Sequence, residues 1–422
     1  MRESPYPLEH DLGMRWYASD TPGIGGRLRV SAEDFLVEEV SPRPGTEGPY
    51  LVCRLTKKEW ELQRAVREIA KALSISHRRI GWTGTKDKHA VTSQLISLYG
   101  VNEEDLGRVR LKDLEIVPVG RSREPLLLGA HMANRFTITI RDTTSPDLAS
   151  EFADVTAACG RGIPNYFGIQ RFGVIRPITH LVGAHILNGD FEAAVGCYVG
   201  MACPDEPADV QHAREAYADG KDPLLALRSL PVPLTYERSM LHHLVSHPGD
   251  FRGALLCLPP KLLSMFVSAF QSYLFNMALS ARMERLPDFF LPEPGDRLLF
   301  SNGREDVVTA ANQGAARLQV ERGRCRVAIM MPGSLPHRGS GADDQVIDTL
   351  LAERHIVPES FSRASSLVGT RYDGALRPVS LATEVTGAIT GTDLTLSFSL
   401  HPGQYATTVC REYMKADPRA MI

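Results

Sequence analysis

The chain lacks the usual signs of a covalent staple, a metal ribbon or a membrane anchor. Its seven cysteines are scattered, odd in number and never paired as C-x-x-C. That argues against a disulfide framework or zinc ribbon and makes reduced thiols the expected state. No run approaches the ~18 apolar residues of a membrane span, and Met1-Arg2-Glu3-Ser4-Pro5 carries charge and proline where a signal peptide needs apolar residues. A cytoplasmic protein with no membrane partner is expected. Charge of one sign is also missing: the formal net charge is only -3, so a polyanion would have to be held by a local patch. There is no repeat of fixed period and no low-complexity tract, which argues against solenoids and propellers. What is present is 422 residues, 43% hydrophobic and 23% charged, enough for a packed core in two or three structural units.

Short strands are expected first, at Gly26-Arg27-Leu28-Arg29-Val30, Phe35–Val40 and Tyr50–Leu55. Between Trp60 and Leu73 the apolar residues Leu62, Val66, Ile69, Ala70 and Leu73 recur every three or four positions, which predicts an amphipathic helix. Strands follow at Leu95–Tyr99 and Phe136–Arg141. From about 178 to 369 helical patterns dominate the first half, including Leu262–Met283, which Pro287, Pro292 and Pro294 bring to an end. Strand alternation returns at Leu394–Leu400, then a short helix at Ala406–Lys415. A β-rich core interrupted by a helical insertion explains that order.

Between Arg54 and Arg141 there are 17 Lys/Arg against 10 Asp/Glu, whereas residues 1–53 are acidic. The basic window contains Gly81-Trp82-Thr83-Gly84-Thr85-Lys86-Asp87-Lys88-His89, the densest polar, glycine-rich segment of the chain. It is not a P-loop: two residues rather than four separate its glycines, and Lys86 precedes an aspartate. A carboxylate between Lys86 and Lys88 suits a nucleophile or base, because nearby cations favour its charged form. The plainer reading is an aspartate that caps a turn between solvated lysines.

Asn165-Tyr166-Phe167-Gly168-Ile169-Gln170-Arg171-Phe172-Gly173 interleaves rings, amides and an arginine. Rings can stack on an unpaired base, an amide can bond its edge, and Arg171 can take a phosphate or a carboxylate; otherwise the aromatics are core. His242-His243 and His180/His185 lack an H-E-x-x-H arrangement, so no metal site is expected. Phe266, Phe270, Tyr273, Leu274 and Met277 fall at helical spacing and read as core.

Taken together, these segments resemble the TruD family of RNA pseudouridine synthases, in the manner of its longer archaeal and eukaryotic members. Asp34-Phe35-Leu36-Val37-Glu38-Glu39 is similar to the family's D-F-x-V-x-E, and Gly81–Gln94 to its G-x-x-G-x-K-D-[KR]-x-A-V-T-x-Q. Gly129, Asn134-Arg135-Phe136 and Arg141 resemble a G-N-x-F-x-I-x-x-R block with a wider glycine spacing. Asn165–Gly173 is similar to N-Y-F-G-x-Q-R-F-G, Ala269–Asn276 to the helix that opens the inserted domain, and Pro402–Thr407 with Arg411-Glu412 to the closing P-G-S-Y-A-T…R-E. Leu62, Ile169 and Gln404 depart from the pattern.

The resemblance implies an α+β fold. A catalytic domain with a mixed, largely antiparallel sheet (1–177 and 370–422) would be interrupted by an inserted α/β TRUD domain (178–369). It implies an isomerase that turns a specific uridine into pseudouridine, with RNA, and tRNA in particular, as substrate. No cofactor, metal or obligatory protein partner is called for, since the reaction leaves the atomic composition unchanged. Asp87 would attack C1′ or take a proton from C2′; the sequence leaves both open. Asn165 and Phe167 would hold the detached base, with Tyr166 the alternative ring. Lys86 and Lys88 would contact phosphate, and RNA shape would be read by both domains across a cleft. A noncatalytic RNA-binding or RNA-folding protein is one rival reading; an N-glycosidase hydrolysing the same bond is another.

Overall fold

In a computed structural model the structure describes residues 1–335 and 339–421. They form two compact units. Unit 1 comprises 1–2, 18–163 and 381–422, and unit 2 comprises 3–17 and 164–380. These divisions fall at 163/164 and 380/381, not at the 177/178 and 369/370 read from the sequence, and residues 3–17 belong with unit 2.

Unit 1 is built on an eight-stranded sheet. Its order is Thr386–Thr390, Asp393–Leu400, Ala133–Ile140, Phe35–Val40, Val91–Tyr99, Tyr50–Lys58 and Leu114–Ser122, with Ile80–Trp82 also paired to Val91–Tyr99. Only Phe35–Val40 with Val91–Tyr99 is parallel; the remaining pairs are antiparallel, so the sheet is mixed and largely antiparallel. Period-two alternation buries Leu394, Leu396, Phe398 and Leu400 from one strand and Phe136, Ile138 and Ile140 from its neighbour. They form one apolar cluster with Phe35, Val37, Val155 and the helix residues Val409, Tyr413 and Met414.

A second cluster covers the other half of the sheet. Helix Leu62–Ala72 starts at Glu61, whose carboxylate accepts from the N–H groups of Gln63 and Arg64 at 2.9 and 2.8 Å. It buries Leu62, Val66 and Ile69 against Leu51, Cys53, Leu55, Ile96 and Leu98, each such side chain contributing about 1.5–3 kcal/mol. Leu62, a departure from the family pattern, is therefore a core residue. One expectation fails here: Gly26–Val30 is not a strand. Arg29 adopts a left-handed φ of 57°, incompatible with a pleated strand, and Arg27 alone bridges to Arg141.

Unit 2 begins with helices, from Thr179–Asn188 through Thr235–Ser246 to the 26-residue Pro260–Arg285. The four-stranded antiparallel sheet follows, ordered Glu305–Val307, Arg297–Phe300, Cys325–Met331, Ala375–Pro378, with helices Gln313–Glu321, Ala342–Glu353 and Pro358–Val368. Among the described residues Pro260–Arg285 is the one helix long and apolar enough to cross a membrane, and two-thirds of its apolar window is buried, as in a core helix. Phe266, Phe270 and Leu274 are buried on it as expected, whereas Tyr273 and Met277 are half-buried.

Candidate active site

The two apolar clusters of unit 1 leave a polar seam between them. Cross-strand partners point to the same face of a sheet, and the registers Val37↔Thr92, Lys57↔Thr92 and Leu55↔Gln94 place Lys57, Thr92 and Gln94 side by side on the buried face. Glu39 joins them by alternation from Phe35 and Val37. All four are buried. Buried polar groups need partners, and loop 83–90 supplies them to Gln94, Glu39 and Lys57. Gln94 donates to the Gly84 carbonyl at 2.9 Å, Lys86 donates to Glu39 at 2.9 Å, and Lys57 donates to the backbone carbonyl of Asp87 at 2.8 Å.

Close approach requires glycine at Gly81, in the strand before the loop, and crowds Gly84 within it. A Cβ on Gly81 would lie 2.6 Å from the Leu126 carbonyl oxygen, and one on Gly84 would lie 2.9 Å from Lys86 Nζ. Held this way, the loop presents the Asp87 carboxylate half-exposed (50%). Arg29 donates to its Oδ2 at 3.0 Å. The guanidinium is itself fixed, lying 4.1 Å over the Phe35 ring. Burial pushes the Lys57 amine down to about 8, with Lys86 adding to the effect and Asp87 and Glu61 opposing it. Burial alone would raise the Glu39 carboxyl; hydrogen bonds, including that from Lys86, outweigh it and hold the group below its ordinary value.

Two sequence expectations change here. Lys86 is turned away from solvent into an ion pair with Glu39 whose side chains are 5% and 0% exposed, where a solvated lysine or a phosphate contact was expected. The cation on the Asp87 side chain is Arg29, 58 residues distant in sequence, not a neighbouring lysine. Lys88 is exposed, as expected, and so is His89, which pairs with Glu59 at 3.0 Å.

Asn165, Tyr166, Phe167 and Arg171 belong to unit 2, in an irregular segment ending in a short 3-10 turn at Ile169–Arg171. A polar stripe at four-residue intervals on helix Pro260–Arg285 receives them. Ser272 accepts from Arg171 at 3.0 Å, Asn276 Oδ1 accepts from the Phe167 N–H at 2.9 Å, and Ser280 shares a hydrogen bond with the Tyr166 hydroxyl at 2.8 Å. Tyr166 is thereby buried. Asn165 is buried too. Its amide donates to the Pro378 carbonyl at 2.9 Å and accepts from Arg377 at 2.7 Å, while that guanidinium lies 3.8 Å over the Phe167 ring. Sequence reasoning singled out neither Arg29, Lys57 nor Arg377 as site residues; the periodicity of the chain carries no signal for them. Glu39 was visible only as a letter of a motif. Among the described residues no group of three His, Cys, Asp or Glu side chains could hold a metal ion.

The family model of tRNA pseudouridine synthase D (TruD) matches residues 11–413. The chain belongs to the TruD family. It is accordingly a tRNA pseudouridine synthase, an isomerase of uridine. A TruD relative from Methanococcoides burtonii, named "Probable tRNA pseudouridine synthase D", is 39% identical with 98% of each chain covered, and one of the same name from Halobacterium salinarum is 38% identical over the whole of both. A solved Methanosarcina mazei structure described as TruD superposes with a TM-score of 0.85 at 34% identity, covering 99% of both chains. The TruD motifs acquire physical meaning in unit 1. Asp34 of the first motif accepts from Arg141 of the third at 2.8 and 2.6 Å, Glu39 holds Lys86 of the second, and Phe35 supports Arg29.

Proposed function

We propose that Asp87 is the reacting carboxylate of this isomerase, attacking C1′ of the target uridine or removing a proton from C2′, and that tRNA is its cytoplasmic substrate. The observation that carries the reading is the contrast within one loop. Its other anchoring groups are buried and paired, whereas the Asp87 carboxylate stays half-exposed and oriented by Arg29. A turn-capping aspartate would spend its oxygens on nearby backbone N–H groups; this one accepts from a distant guanidinium. For the detached base we assign Phe167 as the stacking ring and Asn165 as the hydrogen-bonding amide. Tyr166 is the alternative ring; its hydroxyl is engaged with Ser280 inside the fold, as the Asn165 amide is with Pro378 and Arg377. Lys88 and Arg171 remain the proposed contacts to RNA phosphate.

Single-turnover conversion of an unmodified tRNA transcript at saturating protein is the test. Asp87→Asn keeps the shape of the side chain but removes its charge and basicity. It should lower the rate by about 10³-fold or more while RNA affinity is retained. A folded Asp87→Asn protein converting RNA at the wild-type rate would overturn the assignment. Release of free uracil by the wild type would select the N-glycosidase reading.

A further inference from the structure

Beside the catalytic loop, unit 1 exposes an apolar loop that no part of the mechanism above uses. Leu127, Leu128 and Met132 are 65%, 69% and 54% exposed, unusually open for three large apolar residues within six positions. The loop carrying them is tied down. The Gly129 N–H donates to the Thr83 carbonyl at 2.7 Å, the His131 ring meets the same oxygen at 3.2 Å, and the Leu126 N–H donates to Ser97 Oγ at 3.0 Å. Two of these ties run to Thr83, four residues before Asp87, and the Leu126 carbonyl lies against Gly81. Basic residues flank the loop, with Arg121 and Arg123 before it and Arg135 after it. Arg123 and Arg135 are exposed, their partners Glu47 and Glu38 being surface carboxylates at 3.3 and 3.6 Å.

A loop that is rigid at its base, apolar at its tip and flanked by cations matches what is needed to part stacked bases. Apolar side chains inserted at a base step unstack it, while arginines hold the adjacent phosphates. Chemistry at C1′ requires the target nucleotide to leave its stack. We propose that Leu127 and Leu128, with Met132, form a wedge that enters the RNA at the target uridine and takes the place of the displaced base, delivering the nucleotide to Asp87. The occupant of this surface is thus a base step of the RNA substrate. The proposal rests on Asp87 being the reacting carboxylate.

The test uses the full-length protein and two forms of an unmodified tRNA transcript whose target uridine has first been mapped with the wild type. One form is intact; in the other, the bases flanking the target are replaced by abasic residues, so that the uridine is already unstacked. Leu127→Ser/Leu128→Ser should slow single-turnover conversion of intact RNA by about 10–100-fold, the range of a lost stacking contact. On the abasic form it should remain within about 3-fold of wild type, because the work of the wedge is already done. Leu127→Met/Leu128→Met, which keeps an apolar tip, should restore the intact-RNA rate. Asp87→Asn should be inactive on both forms, so a failure of the catalytic assignment reads out separately. Equal slowing by the serine variant on both RNAs would overturn the wedge, as would an unchanged rate on intact RNA, including the case where the loop instead mediates self-association.

Discussion

The guanidinium of Arg29 lies 4.1 Å above the ring of Phe35 and from there donates to Oδ2 of Asp87 across 3.0 Å. The aromatic face fixes the cation, and the cation fixes the carboxylate. Arg29→Met should therefore slow single-turnover conversion by about 10–100-fold, the equivalent of the ~1.5–3 kcal/mol of a hydrogen bond to a charged group, with RNA affinity nearly unchanged. Arg29→Lys should recover only part, since an ammonium does not lie flat on a ring or present a fork. A Met variant as fast as wild type would show that the contact does not orient Asp87 for reaction.

Lys86 tests structure against binding. Removing it leaves the buried Glu39 carboxylate without its counter-charge, a loss of about 3–5 kcal/mol. Lys86→Met should show this as a lower urea midpoint, and Lys86→Met/Glu39→Leu should regain most of it. Weakened RNA binding at unchanged stability would instead return Lys86 to the role of a phosphate contact.

Lys57 makes stability depend on pH. Its amine, ordinarily near 10.5, is pushed down to about 8 by burial. Between these values the unfolded chain holds a proton the folded chain has released, so stability rises with pH across that window. The contribution is complete above the unfolded value and is lost as pH falls through the folded one. The difference in thermal midpoint between wild type and Lys57→Met should grow in favour of wild type from pH 7.5 to pH 10. Parallel curves would mean that Lys57 titrates as an ordinary surface amine, despite the Asp87, Glu61 and Lys86 charges that also act on it. The neutral amine can still donate to the Asp87 carbonyl.

Phe167 is held between Arg377, 3.8 Å over its ring, and Phe275, whose centroid is 5.7 Å away. Phe167→Leu keeps apolar volume and removes the ring. If the ring stacks on uracil, turnover at a temperature where both proteins are folded should fall by about 10-fold or more while RNA affinity changes little; the buried ring also packs the fold, so the thermal midpoint falls as well. Turnover at the wild-type rate would leave the ring a core residue. Asn165→Ala should also lower stability, since it strips an acceptor from the buried Arg377.

Local pattern determined a good deal. Alternation delimited Phe35–Val40 and Asp393–Leu400 within a residue or two, and three-and-four spacing found the helices Leu62–Ala72 and Pro260–Arg285, because periodicity is a property of consecutive residues; Asp87 stood out as a candidate between two lysines in a glycine-rich segment, and its proposed role came from the family resemblance. The partners of Asp87 were not legible. Arg29 sits in a stretch that alternates like a strand, yet it takes a left-handed φ over the nearby Phe35 ring and meets Asp87 58 residues away. Lys86 and Lys88 are adjacent to the same aspartate, but the path of loop 83–90 turns Lys86 inward to Glu39 and leaves Lys88 in solvent. Asp34 and Arg141, 107 residues apart, meet only once two strands have paired. Which charge faces which is set by register across a sheet, and register is a long-range outcome of packing both apolar clusters at once.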